Sequence, residues 1–186
     1  MIGCLLYLIA SRPDISFNIG VCARFQANPK TSHLTAVKRI IKYVNGTSDF
    51  GLFYSKESNV SLVEYSDADW AGNANDRKST TGGCFYVGTN LVAWMCKKQN
   101  SISLSTAEAK YIVAGNYCSQ LLWVKKLLGD NGISQDTMVV YCDNSSVIDI
   151  SKNLVQHSRN KHREIRYHFI RDLRERKIVV LEYIPY

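Results

Sequence analysis

A continuous apolar run, Met138-Val139-Val140-Tyr141-Cys142, constrains the fold of this 186-residue chain more than any other stretch. A five-residue run without polar alternation indicates a strand that is buried on both faces, as in sheets covered by helices on both sides. A long helical stretch, Ser103 to Leu128, precedes the run, and helical stretches at Ser145 to Lys152 and about Asn160 to Arg176 follow it. The sequence therefore predicts an α/β fold.

Further strands are predicted on either side of that run. Val60 to Tyr65 has the length of a strand, and the turn residues Gly88-Thr89-Asn90 favour a hairpin between the strands Gly82 to Val87 and Leu91 to Lys97. The short stretch Gly51 to Tyr54 is also predicted to be extended. The predicted sheet is mixed and five-stranded, with helices on its faces: Val60 to Tyr65 and the two hairpin strands are antiparallel, and the Met138 to Cys142 run and a last strand from Ile178 to Ile184 are parallel.

Residues 1–50 have a helical pattern and are predicted to form a unit of their own. Ile2 to Ala10 gives one apolar helix, and Pro13 begins a second that runs to about Gln26. The third helix has apolar residues from Leu34 to Val44 at helical spacing and ends at Asn45-Gly46. We therefore divide the chain into a helical extension, 1–50, and an α/β domain, 51–186.

The positive charge is concentrated near the carboxyl end of the sequence. The formal net charge is +7, and the stretch from Lys152 to Lys177 contains nine basic residues against three acidic ones. Such a cationic stretch suits a polyanion, because Lys and Arg neutralise phosphates without reading sequence. The alternative is a solvated helix face.

Cysteine usage and the first residues bear on the compartment. The six cysteines form no C-x-x-C pair, so neither a zinc site nor a disulfide framework is indicated. Met1 to Ala10 has no basic residue before it and is too short to span a bilayer, so we expect neither a secretory signal nor a membrane partner. An intracellular protein, cytoplasmic or nuclear, is predicted.

Three acidic residues occupy similar local positions. Asp67 follows a predicted strand, Glu108 lies in the first turns of the long helix, and Asp143 follows the buried run. Acids at strand ends are common in the sites of α/β sheets, and neighbouring carboxylates repel one another unless a cation lies between them. Oxygen ligands favour Mg²⁺ or Mn²⁺, and two such ions are suited to phosphodiester hydrolysis.

Each acid also has a structural alternative. Asp67 is followed by Ala68-Asp69-Trp70 and fits a solvated turn, and Asp69 is the weaker candidate ligand beside it. Glu108 lies three residues after Ser105, which is the spacing of a helix capping box. Asp143 fits the N-cap of the next helix.

Five motifs resemble the ribonuclease H domain of copia-type LTR-retrotransposon polyproteins. They are Tyr65-Ser66-Asp67-Ala68-Asp69-Trp70-Ala71-Gly72, Arg77-Lys78-Ser79-Thr80-Thr81-Gly82, Ser103-Leu104-Ser105-Thr106-Ala107-Glu108-Ala109-Lys110-Tyr111, Cys142-Asp143-Asn144 and Lys161-His162-Arg163-Glu164-Ile165-Arg166-Tyr167-His168. The resemblance covers about residues 60–186. Residues 1–50 are similar to the segment that joins the reverse transcriptase to that domain.

The resemblance implies an RNase H fold, in which antiparallel strands lead into parallel ones, and an enzyme that hydrolyses the RNA strand of an RNA–DNA hybrid. Asp67, Glu108 and Asp143 match the first three metal-binding acids of the family. The fourth matches Glu164, where the family more often has Asp. Glu164 as a surface acid is the alternative, and His162 and His168 rank low as catalysts.

Hybrid recognition implies contacts to phosphates and to the 2′-OH in a shallow minor groove. The predicted contact residues lie in two loops and after the buried strand: Arg77, Lys78, Ser79, Thr80, Asn144, Arg159, Lys161, Arg163 and Arg166. Trp123 lies among leucines and is assigned to the core.

Two other functions are considered. An integrase-type enzyme places its glutamate last, whereas here Glu108 precedes Asp143, so the order of the acids argues against it. An inactive retroelement remnant that at most binds nucleic acid is the stronger alternative. The sequence has no polymerase motif, and we expect a fragment whose reverse-transcriptase part is missing.

Overall fold

The computed structural model describes residues 1–56, 60–152 and 169–185. The chain divides into two compact units, Met1–Tyr54 and Ser55–Tyr186. Among the described residues, no helix is both long enough and apolar enough to cross a membrane. No disulfide joins any of the six cysteines, all of which lie in the described ranges.

The first unit is helical. Its α-helices are α1 (Ile2–Leu8), α2 (Ser16–Ala23) and α3 (Thr31–Gly46), and a 3₁₀ turn at Pro13–Ile15 precedes α2. The predicted second helix is therefore split and ends earlier than Gln26. This first unit has a small core of its own, which contains Leu5, Ile15, Ile19, Cys22, Val37 and Ile40.

The second unit contains the mixed sheet that the sequence predicts. Its strands are β1 (Leu62–Ala68), β2 (Thr80–Val87), β3 (Asn90–Lys98), β4 (Met138–Cys142) and β5 (Val179–Tyr183). Among the described residues they form a five-stranded sheet in the order β3-β2-β1-β4-β5. The pairs β3/β2 and β2/β1 are antiparallel, whereas β1/β4 and β4/β5 are parallel. The fold class and the mixed sheet are confirmed.

Two local predictions about extended segments had different outcomes. The hairpin between β2 and β3 turns at Gly88-Thr89, where Gly88 has a φ of +59°, a conformation that favours glycine. The strand predicted at Gly51 to Tyr54 was wrong, because those residues have no strand conformation. Phe53 and Tyr54 are exposed there, so no burial favours sheet pairing.

Helices pack against the sheet and form the main core. They are α4 (Thr106–Asp130), α5 (Ser145–Lys152) and a helical segment at 169–175. The core contains Phe85 from β2, Tyr117 and Leu121 from α4, and Val140 from β4. The prediction that Trp123 belongs to the core was wrong, since 57% of that residue is exposed on the outer face of α4.

Close contact between α4 and the sheet depends on one glycine. A Cβ atom at Gly83 in β2 would lie 2.2 Å from Cε2 of Tyr117, so only glycine leaves room for that ring. The Tyr117 hydroxyl donates a hydrogen bond to Oγ1 of Thr81 at 3.0 Å. The aromatic ring is thereby held over the amino end of β2.

One buried acid lies in the core itself. Glu64 of β1 is fully buried, and neither of its carboxyl oxygens has a hydrogen-bond partner among the described residues. Burial raises the pKa of Glu64 well above its ordinary value. Burial therefore favours the neutral carboxylic acid form of Glu64 in the folded protein.

Candidate functional site

Asp67 and Asp143 are brought to the same edge of the sheet by the register of two parallel strands. Tyr65 of β1 lies opposite Tyr141 of β4. Each aspartate lies two residues beyond its tyrosine, so both side chains reach the carboxyl end of the sheet at the same level. This is the edge at which α/β sheets place their ligands.

The group between the two aspartates is the ammonium of Lys110, in the first turns of α4. Its Nζ lies 2.9 Å from Oδ1 of Asp67 and donates hydrogen bonds to both carboxylate oxygens of Asp143. The side chains of Lys110 and Asp143 are each 13% exposed, whereas that of Asp67 is 52% exposed. Asp67, Lys110 and Asp143 form what we call the edge triad.

The charge state of Lys110 follows from its partners. Burial lowers the pKa of Lys110, but the hydrogen bonds and negative charges of Asp143 and Asp67 outweigh that effect and raise the pKa above its ordinary value. Lys110 is therefore a cation at neutral pH. Its single positive charge opposes the two negative charges of the aspartates.

Glu108 takes part in the cap of α4. Its backbone N–H donates to Oγ of Ser105 at 3.1 Å, and its Oε2 accepts a hydrogen bond from the backbone N–H of Leu104 at 2.6 Å. This resembles the reciprocal arrangement of a capping box, except that the backbone donor to the carboxylate is Leu104, one residue before the N-cap Ser105. The structural alternative for Glu108 is thus observed.

The cap of α5 leaves Asp143 available to Lys110. Oδ1 of Asn144 accepts a hydrogen bond from the backbone N–H of Ser146 at 2.9 Å, so Asn144 performs the capping role. The alternative that Asp143 caps this helix is not observed. Asn144, predicted as a phosphate contact, has its side-chain oxygen engaged in this cap.

Asp69 stabilises the loop between β1 and β2. Its Oδ1 accepts from the backbone N–H of Thr80 at 2.6 Å, and a Cβ atom at Gly72 would lie 2.3 Å from its Oδ2. Oγ of Ser79 accepts from the backbone N–H of Ala71 at 3.2 Å. Ser79 and Thr80 are both buried, so we treat them as residues that shape the loop.

Exposed cations lie at the same edge of the sheet as the edge triad. Thr81 at the start of β2 lies opposite both Ala68 of β1 and Lys97 of β3, which places Lys97 at this edge. Arg77 and Lys97 are exposed, and Lys78 is partly exposed. Lys98 pairs with Asp76 at 2.5 Å. Arg77, Lys78 and Lys97 are what we call the edge cations.

Two functional candidates were not predicted from the sequence, namely Lys110 and Lys97. Lys110 lies within the motif Ser103 to Tyr111, but its role depends on contacts with Asp143, 33 positions away, and with Asp67, which is farther away in the sequence. Glu164, Arg159, Lys161, Arg163, Arg166, His162 and His168 lie outside the described residues.

Sequence comparison identifies relatives of this chain. It is 41% identical over 173 residues to the retrovirus-related Pol polyprotein from transposon TNT 1-94 of Nicotiana tabacum, and 42% identical over 173 residues to that from transposon RE1 of Arabidopsis thaliana. Both alignments cover 92% of this chain. The chain belongs to the copia-type retrotransposon Pol family. It covers 13% and 12%, respectively, of the lengths of these two polyproteins.

Structural comparison agrees with the fold of the family's RNase H domain. The RNase H1 isolated from compost by a metagenomic approach has a TM-score of 0.50 with this chain at 13% identity, covering 68% of this chain and 85% of that one. At this identity the likeness shows the fold alone. No protein-family model matches the chain.

The side chains of the edge triad do not fit the divalent metal that the family implies. Lys110 already lies on the oxygens of Asp67 and Asp143 that such an ion requires, and Oε2 of Glu108 is engaged in the cap. Within residues 1–56, 60–152 and 169–185, no three His, Cys, Asp or Glu side chains form a group that could hold a metal ion. In the described residues the two strand-end aspartates meet on a lysine, and the metal-binding role of Asp67, Glu108, Asp143 and Glu164 stays a prediction.

Proposed function

We propose that the unit Ser55–Tyr186 is an RNase H-like domain that binds RNA–DNA hybrids and that, with Lys110 in place, does so without hydrolysing the RNA strand. The observation that carries the proposal is the edge triad, in which a lysine ammonium lies between the two strand-end aspartates. Membership of the retrotransposon Pol family supports a nucleic-acid substrate of this type.

Electrostatics at the sheet edge favours a polyanionic ligand. Lys110 offsets one of the two negative charges of the aspartates, which weakens their repulsion of an approaching phosphate. The edge cations supply positive charge beside them, and phosphate contacts of this kind hold a duplex without reading its bases. Discrimination of a hybrid from DNA then depends on groove shape and on the 2′-OH.

Metal-dependent endonucleolytic hydrolysis of the hybrid is the second candidate function. The convergence of Asp67 and Asp143 at a shared sheet edge favours it, since hydrolysis by this class of enzyme needs acids at this position. It requires that the Lys110 ammonium leave both carboxylates. Because binding without hydrolysis needs no such movement of Lys110, we place hydrolysis second.

Fluorescence anisotropy with a labelled RNA–DNA hybrid tests the proposal. The full chain is titrated into hybrid, DNA duplex and RNA duplex of one sequence, in EDTA and over a series of KCl concentrations. We expect hybrid binding in EDTA, an affinity that falls linearly in log–log form with salt, and intact RNA after incubation with Mg²⁺. Absence of hybrid binding at low salt contradicts the proposal, and RNA cleavage by the wild-type chain favours the second candidate.

A matched pair of variants locates the binding surface. Lys97→Ala removes one edge cation, whereas Lys126→Ala removes an exposed lysine sixteen residues beyond Lys110, or about 24 Å along α4. Both variants change the net charge equally. We expect a smaller salt dependence for Lys97→Ala only, and equal effects of the two variants would contradict binding at this edge.

A further inference from the structure

We propose that Lys110 is a built-in cation that takes the place of the divalent ion implied by the family, so that the wild-type chain binds no divalent ion between Asp67 and Asp143. The inference rests on the proposed function only in taking the edge triad as the RNase H-type site. It concerns an equilibrium between the protein and a metal, which is measurable without any nucleic acid.

The contacts of Lys110 support this role. Its Nζ contacts three carboxylate oxygens, one from Asp67 and two from Asp143. Those oxygens are the hard donors that a divalent ion would use. An ion placed among them would also lie next to the positive charge of the ammonium, so binding of the ion requires displacement of the lysine head group.

Displacement of Lys110 is disfavoured by its surroundings. The lysine and Asp143 are both largely enclosed, so a divalent ion would have to displace the ammonium from its carboxylate contacts and lose part of its own hydration shell to replace it. Asp67 is half exposed, so water can replace its contact with Lys110 at a smaller cost than the contact with Asp143. The Lys110–Asp143 contact is thus the stronger barrier to a metal.

Glu108 does not compensate for the lysine. A further carboxylate at the edge would increase the attraction for a divalent ion, but the nearest acid on α4 accepts a hydrogen bond from Leu104 within the helix cap. This cap gives Glu108 a stable alternative to metal binding. Among the described acids, Asp67 and Asp143 are the two that pair with Lys110.

Manganese binding followed by electron paramagnetic resonance tests the inference, with the metal alone as the probe. The full-length wild type is compared with Lys110→Met, which keeps the aliphatic stem but removes the charge, and with Lys110→Arg, which keeps a cation. We expect no saturable Mn²⁺ binding by the wild type or Lys110→Arg in the range where Lys110→Met saturates, with at least about a tenfold gain in affinity for Lys110→Met.

Control variants test whether a gain in Mn²⁺ affinity arises at the edge triad. Addition of Asp143→Asn to Lys110→Met is expected to abolish the gain, and Lys126→Met is expected to behave as the wild type. Saturable Mn²⁺ binding by the wild type that Asp143→Asn abolishes overturns the inference, as does a folded Lys110→Met without a gain. If Lys110→Met does not fold, Lys110→Gln replaces it, and the wild-type measurement alone still decides.

The two proposals fail in different ways. Loss of hybrid binding in EDTA contradicts the proposed function and leaves the manganese result unaffected. Manganese binding by the wild type contradicts the built-in cation and leaves hybrid binding in EDTA unaffected.

Discussion

Lys110 donates to both carboxylate oxygens of Asp143, which lies 33 residues further along the chain. The contact joins the first turns of α4 to the end of the central parallel strand β4. It therefore contributes to the fold as well as to the charge of the site, and its loss has a measurable cost in stability.

Replacement of each aspartate in turn tests how much of that stability comes from Asp143 and how much from Asp67. Asp143→Asn is expected to lower the free energy of unfolding by about 3 kcal/mol, because it weakens the pairing of an enclosed lysine. Asp67→Asn is expected to cost less than about 1 kcal/mol, since the Asp67 side chain is half exposed. Urea unfolding measures both, with the exposed Asp130→Asn as the control. The reverse order of the two costs would contradict the assignment of Asp143 as the main partner.

The capping role of Glu108 predicts that its removal lowers the stability of the protein. Glu108→Ala is expected to destabilise the protein by about 1 to 2 kcal/mol, because a backbone N–H loses a charged acceptor, and Ser105→Ala by about 1 kcal/mol. The double variant is expected to cost less than the sum, since the two residues share one cap. A carboxylate crowded against other acids would instead give a gain in stability on removal, and that result would rule out the cap as its main role.

A glycine pair in β2 provides a matched test of the packing of α4. Gly83→Ala is expected to destabilise the protein by about 2 to 3 kcal/mol, because the new methyl group overlaps the Tyr117 ring. Gly82→Ala meets no atom within 4 Å of the new Cβ and is expected to change stability by less than about 0.5 kcal/mol. Thermal unfolding compares them. Tyr117→Leu should recover part of the loss only in the Gly83→Ala background.

The buried Glu64 predicts a pH dependence of stability. The unfolded chain loses this proton near pH 4.5, whereas the folded chain retains it to a higher pH, so the folded state holds the extra proton. The free energy of unfolding therefore falls as pH rises through that window, by about 1.4 kcal/mol for each pH unit. Tyr117 and Cys118 of α4 face this carboxyl and have raised pKa values, so both remain neutral in that window.

Glu64→Gln removes the titrating group while keeping its size. Its stability relative to the wild type is expected to increase as the pH rises above the ordinary glutamate value of 4.5, as measured by urea unfolding at each pH. A difference between the two proteins that does not change with pH would show that Glu64 is ionised in the folded state or is not buried.

Local sequence patterns were sufficient to predict much of the fold. The apolar run at Met138–Cys142 forms the strand β4 between two parallel neighbours, and the Gly88-Thr89 turn joins β2 and β3. These features depend on residues that are close in sequence. The strand predicted at 51–54 was wrong, because sheet pairing needs a partner that local composition does not reveal.

The site was predicted only in part, for the same physical reason. Asp67 and Asp143 were identified from their positions after strands, and the parallel register brings them together. Which cation lies between them depends on how α4 is placed over the sheet, and that placement is set by packing such as the Gly83–Tyr117 contact. A lysine two residues after Glu108 was the one local signal available, and its partners were not predicted from the sequence.

A crystal structure of the full chain grown in the presence of MnCl₂, with anomalous diffraction recorded at the manganese absorption edge, tests the role of Lys110 most directly. The predicted result is density for the Lys110 ammonium between Asp67 and Asp143, with no anomalous peak at that position. An anomalous peak bound by both aspartates, with the lysine side chain turned away, would contradict the role of Lys110 as the built-in cation of this site.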